Sequence, residues 1–187
     1  MRGESWQNVN GNRKGQALMT IPAPFARFEG EVRPEWIDFN GHLNLAYYVV
    51  LFDGATDLLF DEIDLGRAYR VRTNLGTFVA ETHTRYEREV LVHERVSVAT
   101  QIVAVDDKRL HLAHEMFRRA DGRRAATQEL MFLHVDLGAR RVCPFPPELK
   151  ARVDAAAAAH AVLPRPDWLG RRVAMPATSE PAGRPRR

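Results

Sequence analysis

The chain is 187 residues long, 45% hydrophobic and 27% charged, which suits one soluble domain with a real core. Its net charge of +3 at pH 7 gathers towards the ends (Arg2, Arg13, Lys14, then Arg171, Arg172, Arg184, Arg186, Arg187), so no basic folded face for nucleic acid is expected. No run of about 18 apolar residues offers a membrane span, Met1–Gly15 has no apolar signal core and the single Cys143 cannot form an internal disulfide, so a cytoplasmic setting is expected.

Residues 1–24 read as a disordered extension, and Met19 offers a second possible start. Phe28, Gly30 and Val32 alternate with Glu29, Glu31 and Arg33, which predicts a first strand. The polar segment Asp38-Phe39-Asn40-Gly41 predicts a turn. Leu43 to about Ile63 then predicts a helix, apolar around most of its circumference and therefore buried on most sides. Its one polar stripe, Asp53, Asp57, Asp61 and Asp64, reads as a solvated face.

The pattern then changes to period two. Thr77–Tyr86, Glu94–Val105, Arg109–Arg119 and Arg124–Asp136 each predict a strand, with hairpin turns at Asp106-Asp107-Lys108 and Asp121-Gly122. A helix from about Pro147 to Ala161 closes the domain, residues 25–170, and 171–187 read as a disordered basic tail. Consecutive hairpins imply an antiparallel sheet, and one largely apolar helix needs a sheet to wrap it. The expected class is α+β.

At Asp38 the sequence becomes specific. Asp38-Phe-Asn-Gly41-His42-Leu-Asn44-Leu-Ala-Tyr47 resembles the D-x-x-G-H-x-N-x-x-Y signature of the 4-hydroxybenzoyl-CoA thioesterase branch of the hotdog superfamily. The segments Phe78–Tyr86, Asp107–His111 and Ala126–Asp136 are similar to a subgroup associated with betainyl-CoA in carnitine breakdown. The resemblance spans about residues 27–165. It implies a hotdog fold, a sheet wrapped around one central helix, and hydrolysis of an acyl-CoA. Coenzyme A is then part of the substrate, with no separate cofactor or metal. A homodimer or homotetramer is implied, since a single copy leaves a sheet edge unpaired.

Thioester hydrolysis needs a base or nucleophile and donors for the oxyanion. The loop before the helix can supply both. From its residues and the resemblance, Asp38 is the base for water or a nucleophile forming an anhydride. Backbone N–H groups around Gly41 and His42 polarise the carbonyl, and Gly41 has no side chain to block approach. Asn44 orients Asp38 or the water, and His42 shapes the loop or transfers protons. Helix capping by Asp38 and Asn40 is the bland alternative.

A betainyl group carries a quaternary ammonium, which aromatic faces hold best. Trp36, Phe39, Tyr47, Tyr48, Phe78 and Tyr86 are the candidates for a cage, and core packing is their plainer reading. Glu81 and His83 share a strand face and are candidates for substrate contact across a dimer interface. His111 and His114, three apart on a strand, point to opposite faces and do not suit a metal. Arg85, Arg88, Lys108, Arg109, Arg123 and Arg124 are the basic residues available to CoA phosphates. A non-hydrolytic acyl-CoA binding module is the competing function, and fold alone does not separate the two.

Overall fold

The computed structural model describes residues 21–175. The expectations for residues 1–20 and 176–187 lie outside this range. A first strand, β1 (Phe25–Glu31), leads through a single 3-10 turn at Pro34–Trp36 to the long helix α1 (Leu45–Glu62). A short helix α2 (Arg67–Thr73) follows. Four long strands come next: β2 (Leu75–Tyr86), β3 (Arg95–Val105), β4 (Arg109–Arg118) and β5 (Arg124–Asp136). The two-residue β6 (Arg141–Val142) and α3 (Pro147–His160) complete the order.

All pairings are antiparallel, in the order β1-β3-β4-β5-β2, with β6 beside the end of β5. The sheet curls around α1, as a hotdog fold requires. Gly54 lets the helix approach closely, since a Cβ there would stand 2.7 Å from the Phe28 ring. Two apolar clusters fill the space. Tyr48, Leu51, Phe52 and Ala55 pack on Val96, Val98, Met116 and Ala126 at the N-terminal half of α1. Leu59, Phe60 and Ile63 pack on Leu110, Leu112, Leu130 and Phe132 at the other half, which Leu149, Val153 and Ala156 of α3 close.

Between the clusters lies a buried polar bridge. His114 of β4 is 3.0 Å from Thr56 Oγ1 on α1 and 2.9 Å from Thr100 Oγ1 on β3. The Thr56 hydroxyl donates to the Phe52 carbonyl, so the network assigns the proton to His114 Nε2. His111, on the opposite face of β4, pairs with Glu129 at 2.8 Å.

Several details differ from expectation, among them the unexpected two-residue β6 and the start of β2 at Leu75 rather than Thr77. α1 begins at Leu45 rather than Leu43, because Asn44 caps it. The helix is not covered on most sides: Leu45, Val49, Val50 and Leu58 are exposed, since one sheet shields only one face of it. α2 was not expected. Its bounds are set by backbone, with Gly66 before it and Asn74, at φ 56°, ending it in the left-handed region.

Candidate active site

The loop before α1 is a tight hairpin. Ile37 bridges Leu43, Asp38 N–H donates to the His42 carbonyl at 3.0 Å, and Gly41 N–H donates to the Asp38 carbonyl at 3.0 Å. Gly41 takes φ +83°, a left-handed position that favours glycine, while nothing stands within 4 Å of where its Cβ would be. The glycine is therefore needed for the turn rather than for clearance from the protein. Asp38 Oδ1 accepts the Asn40 N–H at 2.8 Å, and its other oxygen accepts no hydrogen bond among the described residues.

Asn44 is the helix cap. Its Oδ1 accepts Ala46 N–H at 3.0 Å and its carbonyl accepts Tyr47 N–H at 3.0 Å. Capping thus falls to Asn44, not to Asp38 or Asn40, and it engages the Asn44 oxygens while leaving its side-chain amide N–H groups uncommitted among the described residues. Gly41 N–H is likewise committed to the turn. The backbone N–H groups of His42 and Leu45 make no hydrogen bond among the described residues, and Leu45 opens the helix, at the positive end of its dipole.

A cavity of about 420 Å³ opens beside this loop, lined by Asp38, Asn40, His42, Leu43, Leu45, Tyr48, Tyr86 and the consecutive residues Glu87, Arg88 and Glu89. The last three reach the loop because the β2–β3 connection is stitched to it. Leu43 N–H donates to the Val90 carbonyl at 2.8 Å, Val90 is fully buried, and His93 N–H donates to Val32. Tyr48 and Tyr86 meet edge to face at 5.1 Å. Their hydroxyls donate to the carbonyls of Arg88 and Leu45, each at 3.2 Å. Burial pushes the Tyr48 phenol up to about 12, so it stays protonated.

Of the six aromatic candidates, only Tyr48 and Tyr86 line this cavity. Trp36 and Tyr47 stack on each other at 5.2 Å, with Arg33 over the Trp36 ring. Phe39 sits at the tip of the turn, 97% exposed, where it can neither pack nor form a wall within this chain. Phe78 lies under Arg140, at the opposite end of β2 from Tyr86. Glu81 and His83 face away from Tyr86 on β2. They line a separate hollow of about 330 Å³ with His111, Glu129, Arg171 and Arg172, so one chain does not bring them to Asp38. Among the basic candidates, Arg88 is the one at the cavity. Arg109 is tied to Asp106, and Arg124 to Glu87 and Glu115.

Glu87 and Glu89 were not singled out from sequence. They sit in a charged run after a strand, which by type looks like any solvated turn. Only the stitch through Val90 brings them to Asp38.

Cys143 offers no second nucleophile. Its Sγ is 3.4 Å from His134 Nδ1, but burial pushes the thiol up and the imidazole down, and Tyr69 occupies His134 Nε2 at 2.9 Å. What remains at the loop is the Asp38 carboxylate with a free oxygen, two backbone donors and the cavity beside them. That set can activate water, or attack directly, at a polarised carbonyl.

Comparison with known proteins bears on this site. Residues 32–153 match the family model of the thioesterase-like superfamily. A betainyl-CoA thioesterase of Pseudomonas aeruginosa is 41% identical over 149 residues, 80% of this chain and 94% of the relative. An L-carnitine dehydrogenase/betainyl-CoA thioesterase of Agrobacterium fabrum is 37% identical over 70% of this chain, which spans only 27% of that longer protein. Among solved structures, a putative thioesterase of Pseudomonas putida aligns with TM-score 0.71 and 34% identity, over 83% of this chain and 99% of that one. A hypothetical protein of Staphylococcus aureus in complex with CoA aligns with TM-score 0.74 and 27% identity, over 80% and 94%.

Proposed function

The chain belongs to the thioesterase-like superfamily and is an acyl-CoA thioester hydrolase, and from that premise we propose that it acts on a short polar acyl-CoA, betainyl-CoA first, with Asp38 as the reactive carboxylate. The observation that carries the residue assignment is the Asp38 carboxylate: one oxygen is fixed by Asn40 N–H and the other is free, on a cavity at the N-terminus of α1.

In this reading the thioester carbonyl lies against the start of the helix. The Leu45 and His42 N–H groups stabilise the oxyanion, helped by the helix dipole. Asp38 takes a proton from attacking water, or attacks the carbonyl carbon itself to give an anhydride that water then cleaves. In either route the coenzyme A thiolate leaves, and the carboxylate is regenerated. Asn44 acts by holding the first turn, and with it the Leu45 N–H, in place. His42, 3.8 Å from Asp38 Oδ1, supports the loop. The betainyl assignment is supported by the 41% identity to the Pseudomonas aeruginosa enzyme over 94% of that enzyme's length.

The working form in this reading is a homodimer or larger. β2 is an open sheet edge carrying exposed Phe78 and Val79, and α1 exposes Leu45 and Val49. Sedimentation equilibrium would report a monomer if this is wrong.

The deciding experiment is a panel of acyl-CoAs with free-thiol detection on wild type and Asp38→Asn. Wild type should release thiol fastest from betainyl-CoA, and Asp38→Asn should release it far more slowly. Undiminished turnover by Asp38→Asn would remove Asp38 from the chemistry. The absence of turnover of any thioester by wild type would favour a binding module.

A further inference from the structure

The cavity beside Asp38 carries more negative charge than thioester cleavage calls for. Besides Asp38 it holds Glu87 and Glu89, against one cation, Arg88. Glu87 is neutralised: Arg124 meets it from Nε at 3.0 Å and Nη2 at 3.2 Å. Arg88 is turned aside, its Nη1 donating to the Arg124 carbonyl at 2.5 Å. Glu89 is exposed and makes no ion pair among the described residues. A second unpaired carboxylate lining the same cavity as Asp38 repels an anionic acyl group and adds nothing for a neutral one. Its placement favours a cation.

The aromatic pair beside it points the same way. Because both tyrosine hydroxyls are committed to backbone carbonyls, the rings are fixed and the phenols are not offered to a ligand. Tyr48 is 3% exposed and serves as a buttress, while Tyr86, 47% exposed, is the ring open to the cavity. A quaternary ammonium cannot donate a hydrogen bond. It is held by the face of a ring and by an anion that need not touch it closely.

We propose that Glu89 and the ring of Tyr86 form the subsite for a quaternary-ammonium head on the acyl group, and so set specificity for a cationic acyl-CoA. The proposal rests on the reading of this cavity as the thioesterase site. Glu89 acts on substrate choice, not on the bond broken.

The test compares betainyl-CoA with 3,3-dimethylbutyryl-CoA, in which a carbon replaces the quaternary nitrogen and the shape is kept. Wild type should prefer the cation in kcat/KM. In Glu89→Gln, and again in Tyr86→Leu, that preference should fall by at least about fivefold, mainly through KM for betainyl-CoA. Tetramethylammonium should inhibit wild type competitively, and Glu89→Gln more weakly. Equal losses on both substrates, or an unchanged preference, would overturn the subsite. If wild type ignores betainyl-CoA while tetramethylammonium inhibition still depends on Glu89, the subsite stands and the betainyl reading falls. If tetramethylammonium inhibits both proteins equally, the subsite falls whatever the substrate. Glu89 is a surface residue, so Glu89→Gln should melt as wild type does.

Discussion

Asn40 N–H donates to Asp38 Oδ1 at 2.8 Å, so the reactive carboxylate is also the clasp of its own turn. Asp38→Asn keeps an oxygen that can accept this bond and removes only the charge. We expect its kcat to fall by about a hundredfold or more, with stability within about 0.5 kcal/mol of wild type. Asp38→Ala loses the clasp as well and should also be less stable. Thiol-release kinetics beside urea melts separate the two effects. A small kcat loss in Asp38→Asn with a large one in Asp38→Ala would make the residue a scaffold.

Asn44 can be tested for the same division of labour. Its cap on Ala46 N–H should contribute about 1 kcal/mol, which Asn44→Ala loses. Serine caps a helix about as well but has no amide to orient water. If the cap is what matters, Asn44→Ser should retain most of the activity and stability while Asn44→Ala loses both. A collapse of kcat in a stable Asn44→Ser protein would instead restore the water-orienting role that the sequence suggested.

Gly41 tests the turn alone. At φ +83°, with nothing within 4 Å of a Cβ, alanine meets no clash but is held in a left-handed conformation. Gly41→Ala should cost about 1–2 kcal/mol of stability, and Gly41→Asn less, because asparagine tolerates that region. Equal melting of glycine and alanine proteins would show that the turn relaxes to another shape.

Much of this was legible in the residues because the pattern and the chemistry agree. β3 alternates buried and less buried residues along most of its length, and β5 runs over Arg124–Asp136, the bounds expected from the sequence. The signature from Asp38 to Tyr47 marked the loop that carries the cavity. Local sequence does not report partners distant along the chain. Phe39 and Phe78 looked like Tyr86 as cage members, yet Phe39 sits at a turn tip and Phe78 at the far end of its strand. Glu89 was not singled out in the sequence, and although exposed it lines the cavity because Leu43 bonds Val90. Helix α2 escaped notice because Gly66 and Asn74, not an apolar stripe, define it.

His114 gives the fold a dependence on acid. It is wholly buried between Thr56 and Thr100, with its ring stacked on Phe52, and desolvation pushes it down to about 3. In the unfolded chain it takes up a proton near the ordinary value of about 6.5. Below that pH the unfolded state binds more protons than the native one. Stability is therefore fully present above about pH 6.5 and is lost progressively as pH falls towards 3. His134 and His160, also pushed down by burial, add to the same slope. Urea midpoints measured from about pH 7 to pH 4.5 should fall in wild type. His114→Asn should start lower, because it loses the stack and the two-threonine bridge, but its midpoint should fall less steeply over that range. Parallel slopes for the two proteins would mean that His114 takes up its proton as readily folded as unfolded.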